Sequence, residues 1–203
     1  MTDSPTDEQL VAQIAGGSES AFTELYHRLS GRIYRFALQM SGSITVAEEV
    51  TQEVFLALMT DPRGYNPRRG RPEAYLLGIA RNIVLRILRR DQHYVGLAPE
   101  SDRETPVTAE DPATELARRQ TVEAVRQAIL TLPPNYREVI ILCDLEELDY
   151  AQAAEVLGCA MGTVRSRLNR ARSLLLAKLK PRDRLQPRAT TRPGIAIVTE
   201  SAS

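Results

Sequence analysis

Residues 148–172 read LDYAQAAEVLGCAMGTVRSRLNRAR. Asp149 and Gln152 have the spacing of a capping box, in which two side chains satisfy the free N–H groups that open a helix. The short helix they start ends at Gly158, a residue free to adopt the left-handed turn conformation. A second helix begins near Met161 and runs to about Leu179, where Pro181 stops it. On this helix Val164, Leu168, Ala171 and Leu175 form one apolar stripe, facing Ala153, Val156 and Leu157 of the first. Arg165, Ser166, Asn169 and Arg170 fall on other arcs. This is the pattern of a helix-turn-helix, whose second helix enters the major groove. Arg reads guanine bidentately and Asn reads adenine, each worth ~1–3 kcal/mol of discrimination. Arg167, Arg172 and Lys178 suit phosphate contacts, which position without specifying. The competing reading is an Arg-rich surface helix of a bundle. The coincidence of cap, turn and basic face favours the reader.

Working outward, helical periodicity continues in both directions and strand signals are nearly absent, so the fold class is all-α. Asp111-Pro112 has the cap and first-turn residues of a helix running to about Thr131. Pro133-Pro134 opens another, with Val139, Ile140, Leu142 and Leu145 as its apolar positions. Residues 111–180 thus form a small helix-turn-helix domain, of winged-helix-like or four-helix form. Residues 93–110 are polar, acidic and aperiodic, and read as a flexible linker. Residues 181–203 read as a disordered tail with a short extended piece at 195–198.

Residues 18–92 form a second helical domain, preceded by a lead-in of residues 1–17 with a short helix from Asp7 to Ala15. A helix from Ser18 to about Met40 carries Phe22, Leu25, Tyr26, Leu29, Ile33, Phe36, Ala37 and Met40 on one face. The next opens at Thr45-Val-Ala-Glu48, spaced as a capping box, and places Glu48, Glu49, Gln52 and Glu53 on one arc. Such an acceptor-rich arc suits a basic protein partner, although physics alone favours an ordinary soluble helix face. A breaker-rich loop follows, DPRGYNPRRGRP at residues 61–72. The helix EAYLLGIARNIVLRILRR at residues 73–90 then buries Leu76, Ala80, Ile83, Val84 and Ile87. Tyr75, Asn82, Arg86, Arg89 and Arg90 share another face. An aromatic, an amide and several Arg make a platform for single-stranded nucleic acid, and Arg63, Arg68, Arg69 and Arg71 of the loop widen it. Taken by itself, this helix favours the plainer reading, a solvated face with a Tyr at the edge of the core.

The charge arithmetic hides these surfaces. The 203 residues hold 26 basic and 26 acidic side chains, and this neutrality read whole argues against a polyanion partner. Divided by segment, residues 61–90 carry a surplus of six positive charges and residues 161–192 a surplus of nine. The remaining segments are all net negative. Two single-sign blocks, each closing a helical module, are electrostatic footprints for a polyanion. No apolar run approaches the ~20 residues of a membrane span, and the polar, acidic start is unlike a signal peptide. Two cysteines cannot staple a domain, which indicates a reducing cytoplasmic setting. Cys143 and Cys159 lie on apolar positions and read as buried structural cysteines. His27 and His93 lack ligand-spaced companions, so neither metal nor other cofactor is expected.

Three stretches together resemble one family. AEEVTQEVFLAL, EAYLLGIARNIVLRILRR and LPPNYREVIILCDLEELDYAQAAEVLGCAMGTVRSRLNRAR are similar, in that order, to the polymerase-binding helix, the melting and minus-ten helix, and the minus-thirty-five domain of bacterial extracytoplasmic-function sigma factors of the sigma-70 family. The resemblance covers residues 19–92 and 111–180. It implies a non-enzymatic factor, cytoplasmic and bacterial, that joins core RNA polymerase, directs it to promoter DNA and assists melting. It implies that Glu49, Gln52 and Glu53 dock on the polymerase clamp. It implies that Asn82 and the loop from Tyr65 to Arg71 accept unpaired bases, with Arg63, Tyr75, Arg86 and Arg89 beside them. Arg165, Ser166, Arg167, Asn169 and Arg170 are then the minus-thirty-five surface. The acidic linker threads the polymerase channel, and an anti-sigma partner hides these surfaces until a signal arrives. Neither a small-molecule substrate nor membrane insertion is implied. Three positions depart from the family. Tyr75 stands where Trp is usual, Arg86 where Asp is common, and Ala160 where Ser or Pro would cap the recognition helix. The rivals are a stand-alone helix-turn-helix regulator, which leaves the acidic helix and Arg loop unexplained, and a DNA-processing enzyme, for which no catalytic constellation is present.

Overall fold

The computed structural model describes residues 4–93 and 112–179. Residues 94–110 of the linker, the tail and the Asp111 cap expectation lie outside them, while His93, read as the first linker residue, closes the last helix of the first module. The first module comprises α1 (Asp7–Ala15), α2 (Glu19–Ser41), α3 (Ile44–Thr60) and α4 (Pro72–His93). The second comprises α5 (Pro112–Leu130), α6 (Pro134–Ile140), α7 (Tyr150–Leu157) and α8 (Met161–Leu179). There is no strand among the described residues, and the second module takes the four-helix form there.

Local chemistry accounts for most boundaries. α1 opens with a capping box between Thr6 and Gln9, and Ser18 caps α2 through Ala21 N–H at 3.3 Å. α2 ends at Gly42, whose φ of 75° is the left-handed region that favours glycine. α3 corrects an expectation. Its cap is Ser43, whose hydroxyl accepts from Val46 N–H at 3.3 Å, and Thr45 is already inside the helix. Two hydroxyl residues, with Ile44 between them, are available for this role, and the chain uses the earlier. The Arg-rich loop contains two single 3₁₀ turns, Pro62–Gly64 and Pro67–Arg69, each opened by its proline.

The core follows the expected stripes. Leu25, Ile33, Phe36 and Met40 of α2 meet Val50, Val54 and Leu58 of α3 and Leu76, Ala80 and Val84 of α4, all inaccessible or nearly so. Val139, Ile140 and Leu142 meet Val156, Leu157, Val164, Leu168 and Ala171 in the second module. Complete burial of each such side chain is worth about 1.5–3 kcal/mol.

The largest departure follows α6. Residues Ile141–Leu145 form a π-helical turn, closed by Glu146 N–H to the Ile141 carbonyl at 2.8 Å. The wider turn shifts the register by one residue. Leu145, expected on the apolar face, is therefore exposed, and Glu146 points inward with 4% exposure. Glu147 completes the change of direction at φ 57°, a conformation that disfavours side chains other than glycine.

Candidate nucleic-acid interface

α7 and α8 form the turn read from the sequence. Asp149 Oδ1 accepts from the N–H groups of Ala151 and Gln152, both at 2.8 Å, and Gln152 Oε1 accepts from Asp149 N–H at 3.0 Å. Gly158 sits at φ 61°. Val164, Leu168 and Ala171 are buried, so helical geometry leaves Arg165, Ser166, Asn169 and Arg170 exposed on the opposite side. The Arg165 guanidinium lies 5.7 Å from the centre of the Tyr150 ring, which holds it over the start of α7. Arg167 is half-buried and leans toward Glu138 at 3.7 Å. Arg172, expected on phosphate, is paired with Asp144 at 2.6 and 3.0 Å. Ala160 offers only its carbonyl to Thr163 and Val164 N–H.

The first module places its candidates in two sets. Tyr65, Arg69, Arg71, Tyr75 and Asn82 line a cleft of about 910 Å³ whose opposite wall is α7 and the turn after it. Tyr65 Oη donates to the Gly70 carbonyl at 2.8 Å, and Asn66 Oδ1 accepts from Arg68 N–H at 3.0 Å, so the loop fixes its own shape. The Tyr65 and Tyr75 rings meet at 5.6 Å between centres. Burial raises both phenols above their ordinary range, helped at Tyr75 by Asp61 and at Tyr65 by Glu8 and Glu155. Both remain neutral hydrogen-bond donors near pH 7. Arg63 and Arg68 are exposed and do not line the cleft. Arg86 and Arg89 lie farther along α4, also exposed and outside it, and Arg86 donates to Glu53 of α3 at 2.7 Å. The unusual arginine of α4 is therefore engaged by the acidic helix.

On α3 the acceptor arc is accessible, with Glu49 and Gln52 exposed. The stripe continues into Leu56 and Met59, which are 62% and 58% exposed. These two apolar residues were absent from the sequence-derived site. Their spacing of four and seven from Gln52 was the available signal, masked by assigning every apolar side chain to the core.

The cysteines are half-buried rather than buried. Burial, with Asp144 nearby, pushes the Cys143 thiol up to about 11, so it is protonated and unreactive near neutrality. Cys159 lines the cleft.

Comparison with known proteins agrees with this arrangement. Residues 25–94 match the family Sigma-70 region 2, and residues 122–175 match Sigma-70, region 4. The chain is 36% identical over 180 residues to the ECF RNA polymerase sigma factor SigE of Mycolicibacterium smegmatis, covering 84% of this chain and 68% of that relative. Its fold resembles CnrH, solved in complex with the cytosolic domain of CnrY, at a TM-score of 0.63 and 27% identity over 84% of this chain and 95% of that one. It likewise resembles the sigma factor RpoE of Bartonella quintana, solved with the anti-sigma factor NepR, at a TM-score of 0.63 and 25% identity over 79% and 98% of the two chains.

Proposed function

The chain belongs to the ECF RNA polymerase sigma factors of the sigma-70 family, and from this membership we propose how its surfaces divide the work. As a sigma factor it directs core RNA polymerase to promoters and assists their melting. The presence of both regions, with an exposed acidic helix and an Arg loop, favours this over a stand-alone regulator. Family membership also indicates a binding protein without covalent chemistry of its own. No helix among the described residues is long and apolar enough to cross a membrane.

Glu49, Gln52 and Glu53 dock on a basic surface of the polymerase, and Leu56 and Met59 extend that contact with apolar area. Arg165, Ser166, Asn169 and Arg170 read the minus-thirty-five major groove, with Arg167 at the edge of that surface. Tyr65, Arg69, Arg71, Tyr75 and Asn82 take the unpaired minus-ten strand. Arg63, Arg68, Arg86 and Arg89 add positive potential around it. The partner is an anti-sigma factor, by analogy with the relatives solved in complexes. The observation that carries the division is the exposed Arg165–Arg170 arc lying back to back with the buried Val164–Leu168–Ala171 stripe.

Run-off transcription with purified core polymerase on a genomic library tests this reading. A small set of templates sharing two separated motifs is the expected product, and uniform or absent transcripts would overturn it. Replacing Glu49, Gln52 and Glu53 by Ala should abolish co-purification with polymerase while helix content is kept. Unchanged recovery would remove the docking assignment.

A further inference from the structure

The arginines of α8 are held in different ways. Arg167 leans on the Glu138 carboxylate at 3.7 Å. Arg172 gives two hydrogen bonds to Asp144, at 2.6 and 3.0 Å. Arg165 instead lies over an aromatic ring, with its guanidinium carbon 5.7 Å from the centre of Tyr150. Tyr150 has no role in the reading of α8 given above. It is the first residue of α7, directly after the Asp149 cap. The reciprocal hydrogen bonds of Asp149 and Gln152 fix the backbone there, so the ring stands on a rigid base. At 37% exposure it is not taken up by the core. Hydrogen bonds to Asp144 chiefly, and Tyr150 to a lesser degree, hold the Arg172 guanidinium above its ordinary range. The phenol is therefore also within electrostatic reach of Arg172, which lies two turns beyond Arg165 on the same side of α8.

A carboxylate and a ring leave a guanidinium in different states. A carboxylate occupies N–H donors edge to edge and offsets the charge. A ring attracts the cation through its face, and the five N–H donors lie in the guanidinium plane. An arginine held over a ring therefore keeps its donors and its charge, while its swing is narrowed. Bidentate recognition of a guanine edge needs that combination, two coplanar donors already aimed. Arg172 has its donors on Asp144. Arg165 has its donors free of any such carboxylate contact and its position set by a ring. Tyrosine suits the task because its side chain has only two torsions, so little of its own freedom is lost in holding a partner.

We propose that Tyr150 is a positioning residue for base selection: its ring holds the Arg165 guanidinium by the face, leaves the donor edge to a guanine, and so sets the preference at the one duplex position that Arg165 reads. The ring itself touches no base in this assignment and acts through Arg165 alone. Arg170, on another arc of α8, is outside its reach. Base preference at the Arg165 position is thus a property of two helices, α7 supplying the guide and α8 the reader. This inference rests on the assignment of α8 to the major groove.

The experiment reconstitutes the full chain with core RNA polymerase and selects bound molecules from a random-sequence duplex library. Sequencing the bound pool gives the base preference at every position. Arg165→Ala should erase the preference at one position or two adjacent ones, which identifies the bases it reads. Tyr150→Leu, which removes the ring face, should flatten the same position by about two- to fivefold, the scale of an exposed cation–ring contact. Every other position should keep its preference, including those that Arg170→Ala flattens. Tyr150→Phe keeps the ring without the hydroxyl and should match the wild type. Tyr150→Leu combined with Arg165→Ala should look like Arg165→Ala alone, because the ring acts only through that side chain. Preferences unchanged in Tyr150→Leu overturn the proposal. So does an equal loss at every position, which marks a phosphate contact or a weakened module, and so does a Phe variant as flat as the Leu variant, which assigns the effect to the hydroxyl. Circular dichroism identifies a variant that has lost helix, and Tyr150→Gln, equally without a ring face, then decides in place of Leu. The two layers separate cleanly. Arg165→Ala with no position flattened removes the reader and its guide together, whereas a flattened position in Arg165→Ala beside an unchanged Tyr150→Leu keeps the reader and removes only the guide.

Discussion

The exposed arc of α8 is carried by one helix whose other side is core, whereas the cleft beside α4 is shared among a loop, a helix and the opposite module. The first surface needs only that α8 pack on α7. Nothing from the first module is required to aim Arg165 or Asn169. The second exists in its present shape because Glu138 and Glu146 are held by arginines far away in the chain. A surface built on a single amphipathic helix is stable wherever its own module folds. A surface assembled across two modules can be opened or covered without unfolding either.

Core truncation should break the α8 surface and leave the other standing. Leu168 is 2% exposed beneath the arc. Leu168→Ala should destabilise the second module by about 2–5 kcal/mol, enough to remove duplex binding in a domain of this size. Thermal unfolding followed by circular dichroism should show an early transition, with the first module's transition unmoved. A single shifted transition would mean that the modules do not unfold independently.

The same contrast governs what was legible in the sequence. α7 and α8 could be read almost to the residue, because capping chemistry, a left-handed glycine and a helical stripe all act within a few positions. The stripes of α2, α3 and α4 were equally plain. The π-helical turn was not, since no local signal distinguishes it from continued α-helix, and it reversed the expected places of Leu145 and Glu146. Arg172 and Arg86 looked like nucleic-acid contacts because periodicity shows only that they face outward. Their pairing with Asp144 and Glu53 depends on which helix lies alongside, and that is set by packing. The cleft's opposite wall was invisible for the same reason. The partners are separated by 57 and 114 residues, distances at which charge patterning carries no register.

Removing the reading side chains sharpens the contrast without disturbing the fold. Arg165→Ala and Arg170→Ala should each weaken transcription that depends on the minus-thirty-five motif by about 1–3 kcal/mol, roughly five- to 150-fold. Templates that lack the motif should be unaffected. An equal loss on every template would recast both residues as phosphate contacts.

The cleft should respond at a different step. Asn82 is exposed and lines the cleft. Asn82→Ala should leave closed-complex formation intact and reduce opening by about 1 kcal/mol or more, the scale of one lost hydrogen bond. Permanganate reactivity of promoter thymines measures this. Normal reactivity would move strand capture to the tyrosines and arginines of the loop.

The smallest expected effect lies at the joint between the two surfaces. Ala160 immediately precedes α8; its carbonyl accepts from Thr163 and Val164 N–H but its side chain caps nothing. A hydroxyl there could accept from the first-turn N–H groups, which otherwise depend on water. Ala160→Ser should therefore stabilise the second module by about 0.5–1 kcal/mol, seen as a small rise in its melting temperature. The arginine arc lies on the far side of α8 from the buried stripe, so duplex affinity should hold or rise slightly. Ala160 also lines the cleft. If strand binding changed while duplex binding did not, the turn would be a working part of the cleft wall, and the two surfaces would be coupled through a single residue.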